Sequence, residues 1–517
     1  MNILAIHTQH DANITISSDN EIVLVLELER VFRKRYFECS NNELEFEREW
    51  KIVMDIATHF TQILEFDFVI TNWVIPSKLK ILKKIIKAKG WLTCDHHLAH
   101  AALGYYDSNL KNPLILSFDG GGNDGVFNFY SIIDNKISLL NRSLVNVGIA
   151  YRLLATLMPE VTHNEPQPRG GHLSLAGKLM GYSALGVVQQ QWLGALTEYY
   201  KYFQYPMQAL YSLSQAIDVD LEESTVLDNT LARNLAASSQ KALEIFTINE
   251  IENMLTQSSY DGIVLTGGAA LNVINNTSIK DYFNLPVYIP SAPNDCGISL
   301  GSILAKFPPK HYQYKAYLGL PLHADLPDEI VAVGRKFTLP EIAHLVVNCN
   351  AIIGVARDRA EVGPRALGNR SIICYPDSIQ KKEIINDKIK FREWYRPLAP
   401  VIKEDSAKLL FGRDVISPFM SFAYPFSFDL QGKFPTVEHI DKTARLQTVS
   451  SVQNKWLYDL LSEVEAISGF PILLNTSFNT KGKPLLNSTS EAIEILKSTD
   501  LTHVIIEDLI FYKEDFK

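Results

Sequence analysis

Cysteine is scarce in this sequence, and its spacing suits neither of its usual structural uses. Five cysteines occur among 517 residues, and no two of them have CxxC spacing. An odd number without that spacing argues against a disulfide framework and against a cysteine zinc site. We therefore expect the protein to work in a reducing compartment, the cytoplasm.

Long apolar runs and a positive net charge are also missing. No stretch is long enough to cross a bilayer, and the first residues lack the basic start and apolar core of a signal peptide. We therefore expect no membrane partner. The net charge of −9 argues against a generally basic nucleic-acid binder, although it is compatible with a local basic patch.

The length predicts more than one domain, because a chain of 517 residues is too long for one compact core. A strand–turn–strand opening occurs twice, first near Ile3–Ile6 and again at Leu114–Phe118. Residues 305–340 carry several prolines and no strong period, so we place a boundary there. The prediction is an α/β protein with domains at 1–325 and 326–517.

Two histidines stand four residues apart in Asp95-His-His-Leu-Ala-His100. On a helix, His96 and His100 would share one face within reach of one ion, although an isolated pair of this kind is more often capping or surface histidine. Asp119 and Asp295 each follow a strand-like segment at a turn, where sites gather. Together the four residues suit Fe(II), Mn(II) or Zn(II).

Glycine loops offer candidate phosphate sites. Such loops expose backbone N–H groups, and one that opens a helix also favours phosphate; each is equally well explained as a plain tight turn. Lys178, between two glycines, could neutralise a phosphate or be a surface lysine. The candidate nucleotide-binding residues of this part are Gly120, Gly121, Gly122, Asn123, Lys178, Gly267, Gly268 and Asn272.

The last third of the chain concentrates cations among aromatic residues, proline and glycine. In a strand, Lys390 and Arg392 would share one face, as would the polar residues Ser477 and Asn479. This composition predicts a triphosphate cleft, and the alternative is a set of solvated surface charges. Its candidate residues are Arg365, Arg370, Lys390, Arg392, Arg396, Ser477 and Asn479.

These motifs in order resemble the O-carbamoyltransferase family of nodulation-factor and antibiotic-tailoring enzymes. The motifs that carry the resemblance are His10-Asp11, Asp95-His-His-Leu-Ala-His100, Asp119-Gly-Gly-Gly122, Gly177-Lys-Leu-Met-Gly181, Gly267-Gly-Ala-Ala-Leu-Asn272, Asn294-Asp-Cys-Gly297, Glu361-Val-Gly-Pro-Arg-Ala-Leu-Gly-Asn-Arg-Ser371, Trp394-Tyr-Arg-Pro-Leu-Ala-Pro400, Asp441-Lys-Thr-Ala-Arg-Leu-Gln-Thr448 and Leu474-Asn-Thr-Ser-Phe-Asn479. They span nearly the whole chain.

The resemblance implies an actin-like ATPase fold, a duplicated ribonuclease H-like fold, in the first domain and a YrdC-like second domain. It implies that the second domain makes carbamoyl-AMP from carbamoyl phosphate and Mg-bound ATP, with Lys390 and Arg392 as catalytic residues. The first domain would transfer the carbamoyl group to an acceptor hydroxyl. His96, His100, Asp119 and Asp295 match the metal ligands, usually iron, and His10 matches a histidine near the acceptor.

The acceptor has two candidate classes: a small-molecule or sugar hydroxyl, and hydroxymethylated DNA carrying 5-hydroxymethylcytosine. Two basic stretches, Lys78–Lys89 and Arg30–Arg35, motivate the DNA alternative, whereas we favour an amphipathic helix with a solvated lysine face as the explanation of the first. Two other functions are an enzyme of the tRNA threonylcarbamoyl-adenosine type and a non-catalytic nucleotide-binding protein.

Overall fold

A computed structural model of the chain describes residues 1–123, 125–163, 172–201, 206–221, 227–309, 312 and 315–516. It divides into two compact units. Unit 1 comprises Met1–Leu92 with Gln313–Lys517, and unit 2 comprises Thr93–Tyr312. The units therefore divide the chain differently from the predicted boundary at 325/326, because the N-terminal segment packs with the C-terminal part.

The first sheet of unit 1 is built from the N-terminal segment. Its strands are β1 (Asn2–His7), β2 (Asn13–Ser18), β3 (Glu21–Glu27), β4 (Phe66–Thr71) and β5 (Ala88–Thr93), in the order β3-β2-β1-β4-β5. Strand β1 runs antiparallel to β2 and parallel to β4. The apolar faces of these strands enclose a core with Phe46 and Trp50.

Unit 2 repeats the same strand order. Its strands are β6 (Leu114–Phe118), β7 (Phe127–Ile133), β8 (Lys136–Ser143), β9 (Ile263–Thr266) and β10 (Val287–Tyr288), in the order β8-β7-β6-β9-β10. Strand β6 is antiparallel to β7 and parallel to β9, as β1 is to β2 and β4. The repeated topology confirms the predicted duplicated α/β fold.

The second sheet of unit 1 has nine strands. They are β11 (Arg335–Lys336), β12 (Ile353–Ala356), β13 (Arg370–Cys374), β14 (Ala399–Lys403), β15 (Phe422–Pro425), β16 (Thr443–Val449), β17 (Ile472–Ser477), β18 (His503–Ile506) and β19 (Leu509–Tyr512). Their order is β11-β19-β18-β12-β13-β17-β14-β16-β15. This sheet forms the second α/β part of the chain.

Helices cover these sheets. In unit 1 they are α1 (Leu28–Phe32), α2 (Glu43–Thr61), α3 (Pro76–Ile85), α13 (Asp328–Val331), α14 (Leu339–Asn348), α15 (Ile379–Glu383), α16 (Ala407–Phe411), α17 (Lys455–Ser468) and α18 (Thr489–Ser498). In unit 2 they are α4 (His96–Ser108), α5 (Val147–Ala155), α6 (Pro159–Thr162), α7 (Ser174–Tyr182), α8 (Leu193–Lys201), α9 (Pro206–Ile217), α10 (Asn229–Leu255), α11 (Val273–Tyr282) and α12 (Ile298–Lys306). Within the described ranges, no helix is both long and apolar enough to span a bilayer.

A buried arginine joins the N-terminal segment to the C-terminal part within unit 1. Arg30 on α1 pairs with Glu27 at 2.8 Å. It also donates to the backbone carbonyls of Glu361 at 2.6 Å and Gly363 at 3.0 Å. The amide of Gly363 in turn donates to Glu27 at 2.8 Å. Because buried charge is costly unless it is paired and hydrogen-bonded, this network holds α1 to the 361–363 loop.

Close packing of α12 on α4 depends on Gly301. A Cβ at Gly301 would lie 2.0 Å from the carbonyl oxygen of Ala99. Helix α4 therefore has to shift if this glycine gains a side chain. We expect Gly301→Ala to lower the free energy of unfolding by about 1–3 kcal/mol, because overpacking a tight contact costs this much.

The matched control is Gly194→Ala in α8, where an added Cβ would meet no heavy atom within 4 Å. We expect this variant to be neutral or more stable, because alanine favours helix. Thermal denaturation of both variants gives the comparison. Equal melting temperatures for the two would contradict the packing analysis.

A buried acid on α4 makes stability depend on pH. Burial raises the pKa of Asp107 to about 8, and an interaction with Tyr288 offsets only part of that rise. A carboxyl whose folded pKa lies above its unfolded value stabilises the fold at low pH. That contribution is lost as the pH rises from about 4, the unfolded pKa, to about 8.

We therefore expect Asp107→Asn to melt increasingly higher than the wild type as the pH is raised from 5 to 8.5. The amide has nearly the same shape and no charge to desolvate. Asp55→Asn, at an exposed position on α2, serves as the control and should show no such trend. If the melting temperatures of the wild type and Asp107→Asn differ by the same amount at every pH in this range, the raised pKa assigned to Asp107 is wrong.

Candidate functional site

Four buried side chains of unit 2 converge on one point. His96, His100, Asp119 and Asp295 each offer a ligand atom, and these atoms lie within 4.8 Å of one another. We call these four residues the His–Asp cluster. They are the four residues that the sequence predicts as metal ligands, although they are spread over 200 positions of the chain.

The local structure explains how they meet. The Asp95 side chain accepts the amide of Leu98 at 2.8 Å and begins α4, which presents His96 and His100 one turn apart. Asp119 directly follows the end of β6. Asp295 begins a short 3-10 turn that leads into α12. The helical spacing and the strand end predicted from the sequence are thus both present.

The distances fit a single ion. His100 Nε2 lies 3.1 Å from Asp119 Oδ2 and 3.3 Å from Asp295 Oδ1. His96 Nε2 lies 3.9 and 3.5 Å from the same two atoms. Ligands about 2.1 Å from a shared metal are separated by roughly 3.0–3.4 Å. The donor atoms therefore fit a divalent cation, and two imidazoles with two carboxylates are a suitable donor set.

The protein alone also stabilises this arrangement electrostatically. Burial by itself would lower the pKa of His100, but hydrogen bonds to Asp119 and Asp295 raise it to about 9. Burial and the neighbouring Asp295 would raise the pKa of Asp119, yet hydrogen bonds from His100 and His96 hold it below its usual value. Two adjacent carboxylates thus require positive charge between them.

His97 does not join the cluster. Its Nδ1 lies 2.7 Å from the hydroxyl of Ser117 on β6. Burial, together with the two histidine neighbours, lowers its pKa to about 3. It is thus a neutral histidine that packs α4 against the sheet.

The glycine loops build the cluster's surroundings. The amide of Gly268 donates to Asp119 Oδ2 at 2.9 Å, and the amide of Gly120 donates to Asp119 Oδ1 at 2.5 Å. The side chain of Asn123 accepts from the amide of His96 at 2.8 Å. These loops therefore orient a candidate ligand and its helix, which leaves the predicted phosphate contacts of Gly121, Gly122 and Gly267 as predictions.

Two other candidate nucleotide residues of unit 2 also make structural contacts. Asn272 accepts from the amide of Asn275 at the start of α11 and donates to Gln240 at 2.9 Å. Lys178 donates to the carbonyl of Val161 at 3.3 Å. The phosphate role predicted for both remains a prediction.

Unit 1 holds a second site, which is dominated by positive charge. We call it the cationic cluster, and its residues are Arg35, Arg365, Lys390, Arg392, Arg396 and Arg445. Burial and then repulsion from Arg396 lower the pKa of Arg392 to about 9. Burial and then repulsion from Arg396 and Arg35 lower the pKa of Arg365 to about 10. Glu393, 3.9 Å from Arg396, offsets one of these charges.

Lys390 is at the centre of the contacts predicted from the sequence. Its ammonium donates to Ser477 Oγ at 2.8 Å, to the Ser477 carbonyl at 2.6 Å and to Asn479. Burial lowers its pKa well below the usual value, and repulsion from Arg392 adds to this. The structure therefore brings Lys390, Ser477 and Asn479 together.

The predicted strand at Lys390–Arg392 is wrong. Residues Ile384–Ile389 form a π-helix that ends at Lys390, and Arg392 follows in an irregular segment. Phe391 has φ of 48°, a left-handed conformation that is rare for a bulky residue. Both cations nevertheless enter the same cluster, by a backbone turn instead of by alternation along a strand.

Arg370 belongs to the scaffold of this region. It is fully buried, and its guanidinium donates to the carbonyls of Arg357, Asn369 and Asp358. Glu361 stabilises the same loop, because its carboxylate accepts a hydrogen bond from the backbone amide of Leu367 at 2.6 Å. We interpret Arg370 as the residue that fixes the loop, a role the sequence did not separate from ligand binding.

Arg35 and Arg445 are members of the cluster that the sequence reasoning missed as site residues. Arg445 lies on β16 inside one of the motifs that carry the resemblance. Burial and then repulsion from Arg365 and Arg392 lower its pKa well below the usual value. Arg35 comes from the N-terminal segment and lies over the ring of Tyr36 at 4.7 Å. Arg445 could have been identified from the sequence, because it lies in one of the motifs that carry the resemblance. Arg35 lies outside these motifs, so only the tertiary structure shows that it belongs to the cluster.

His10 lies in the tight turn between β1 and β2 of unit 1. Its Nδ1 is 3.2 Å from the buried carboxylate of Asp11. His7 Nε2 contacts the His10 carbonyl at 3.2 Å. An imidazole oriented by a carboxylate is a suitable general base, but its place beside the acceptor remains a prediction.

Family comparison identifies the chain. The family profile described as Carbamoyltransferase N-terminus matches residues 42–304, and that described as Carbamoyltransferase C-terminus matches residues 344–513. The chain belongs to the carbamoyltransferase family. This confirms both the predicted resemblance and the prediction that the protein is an enzyme.

Individual relatives align with nearly the whole length of this carbamoyltransferase. Nodulation protein U of Rhizobium tropici is 25% identical over 99% of this chain and 96% of its own length. An uncharacterized protein of Methanocaldococcus jannaschii is 26% identical over 99% of both chains. Among solved structures, full-length HypF in its phosphate- and nucleotide-bound form has a TM-score of 0.37 and 14% identity, covering 59% of this chain and 46% of that one. The structural likeness is too weak to bear on function.

The His–Asp cluster yields a direct test of metal binding. We expect His100→Ala to lose most of its bound divalent ion, because it removes one of four ligands and the imidazole that lies nearer to both buried carboxylates. The measurement is metal content by mass spectrometry after dialysis against iron, manganese or zinc.

His97→Asn is the matched control on the same helix, since asparagine reproduces the hydrogen bond to Ser117. It should retain the metal content of the wild type. Equal metal content in His100→Ala and the wild type would remove the cluster as a metal site.

Proposed function

We propose that this enzyme is an O-carbamoyltransferase that works through carbamoyl-AMP. Unit 1 would form the adenylate from carbamoyl phosphate and ATP at the cationic cluster. Unit 2 would transfer the carbamoyl group to an acceptor hydroxyl at the His–Asp cluster. The observation that carries the proposal is the accumulation of six cations in unit 1, five of them buried or half-buried and Arg35 exposed, which matches a triphosphate and a phosphate in charge.

The first reaction forms carbamoyl-AMP in two steps. Carbamoyl phosphate loses its phosphoryl group to water, which yields carbamate and inorganic phosphate. A carbamate oxygen then forms a bond to the α-phosphorus of ATP, and pyrophosphate leaves with the electrons of the broken P–O bond. Cations preorganised around these groups stabilise the charge that develops on pyrophosphate, and Lys390 and Arg392 are the residues we expect to contribute most.

The second reaction transfers the carbamoyl group from its mixed anhydride to an alcohol. A divalent ion held by the His–Asp cluster, Fe(II) or another, would supply Lewis-acid polarisation of the carbonyl. We propose His10 as the base that accepts the proton of the acceptor hydroxyl. The contact with Asp11 supports this role, because a carboxylate orients the ring and stabilises its protonated form.

We propose a small-molecule or sugar hydroxyl as the acceptor. Part of each basic stretch that motivates hydroxymethylated DNA is engaged within the fold. Lys78 is buried and donates to Asn41 at 3.0 Å, and Arg33 pairs with Glu491. Lys80 and Lys83 are exposed on α3. We interpret them as its solvated face, in line with the net charge of −9.

Two assays test the proposal as a whole. Pyrophosphate release from ATP that depends on carbamoyl phosphate reports adenylate formation. Mass spectrometry of sugars, aminoglycosides and hydroxymethylcytosine DNA, incubated with the iron-loaded enzyme and both substrates, reports a gain of one carbamoyl unit. Transfer to DNA alone would reverse our choice of acceptor, and absence of pyrophosphate release would remove the adenylate mechanism.

Variants should separate the two reactions. We expect Lys390→Ala to reduce pyrophosphate release at least 100-fold, because it removes the central buried ammonium. We expect His10→Ala and Asp295→Ala to retain release but lose transfer. Initial rates of pyrophosphate formation and of carbamoylated product provide the two readouts.

Lys388→Ala is the matched control, since this lysine is exposed and pairs with Asp387 two residues before Lys390. It should behave like the wild type in both assays. Parallel loss of release and transfer in the His10 and Asp295 variants would contradict the division of labour.

A further inference from the structure

Helix α5 begins against the loop that carries Asp119. A Cβ at Gly148 would lie 2.9 Å from the amide nitrogen of Gly120 and 3.0 Å from the carbonyl carbon of Asp119. Asn146 caps α5 by accepting from Ile149, and its amide donates to the carbonyl of Gly120 at 3.0 Å. The first turn of α5 is therefore fastened to the backbone beside the His–Asp cluster.

Arg152 is placed on the same side of this helix. It follows Gly148 by four residues, so the two positions lie one above the other on one helix face. Asp119 is a charged group that acts on Arg152: burial lowers the pKa of the guanidinium, and attraction by Asp119 raises it. Arg152 is half-buried.

We propose that Arg152 binds the adenylyl phosphate beside the His–Asp cluster and stabilises it as it leaves. The inference rests on the proposed function, since it assigns a residue to the phosphate of carbamoyl-AMP. None of the sequence motifs contains Arg152. Only the packing of α5 on the Asp119–Gly120 backbone relates this residue to the His–Asp cluster.

The chemistry of transfer requires a cation at this place. The acceptor oxygen forms a bond to the carbonyl carbon, and the bond between that carbon and the phosphate oxygen breaks. AMP leaves with the electron pair, so the charge of its phosphate changes from −1 to −2, while the hydroxyl proton goes to the general base of the reaction. A guanidinium can donate two parallel hydrogen bonds to phosphate, and its attraction increases as the charge grows.

A purely structural role is the competing explanation. Arg152 could serve only to neutralise Asp119 and so preserve the His–Asp cluster. The two roles differ in what a substitution removes. An anion-binding residue affects the affinity for AMP and leaves the metal in place, whereas a partner of Asp119 affects the metal content first.

The test measures AMP binding by isothermal titration calorimetry on the metal-loaded full chain. All variants carry Lys390→Ala, so that the cationic cluster contributes little to the signal. We expect Arg152→Ala to weaken AMP binding at least tenfold with unchanged metal content, and Arg152→Lys to restore part of the affinity. Lys136→Ala, which removes an exposed cation at the start of β8, is the control and should bind as the parent does.

Either of two outcomes would overturn the inference. One is AMP affinity within twofold of the parent in Arg152→Ala. The other is loss of metal in both the alanine and the lysine variant. Pyrophosphate release by Arg152→Ala in the otherwise wild-type chain should remain normal, and if the wild type itself releases none, the proposed function fails independently of Arg152.

Discussion

Charges of one sign held close together inside the protein define both sites. In unit 2 two buried carboxylates, Asp119 and Asp295, raise each other's energy unless positive charge lies between them. In unit 1 the arginines of the cationic cluster repel Lys390 and one another. Such repulsion is costly in a buried environment. It is relieved when a ligand of opposite charge binds, so each site is complementary to something the chain itself does not supply.

The His–Asp cluster could be predicted because its signals are local. A helix spacing of four places His96 and His100 on one face, and polar residues at strand ends meet at one edge of a sheet. Both rules apply to short segments of sequence, and the fold then brings these segments together. The repeated strand–turn–strand opening was likewise visible, since alternation of apolar residues is a property of each strand alone.

The cationic cluster could be predicted only in part, because its geometry depends on distant contacts. Lys390 and Arg392 were expected to share a strand face, but the left-handed Phe391 brings them together by a turn. Arg370 is predicted from the sequence to bind a ligand, yet its guanidinium donates hydrogen bonds to three backbone carbonyls. Arg35 is separated from Arg365 by more than three hundred residues, and no spacing rule connects them.

The arginine that fastens α1 to the 361–363 loop has a consequence for dissecting the enzyme. Arg30 and Arg35 belong to the same N-terminal segment, one as an anchor and the other as a member of the cationic cluster. A fragment that starts after residue 325 would therefore lack one cation of this cluster, together with the first sheet of unit 1. The two halves of the chain in sequence are not two independent domains, because splitting the gene at that point would divide one compact unit.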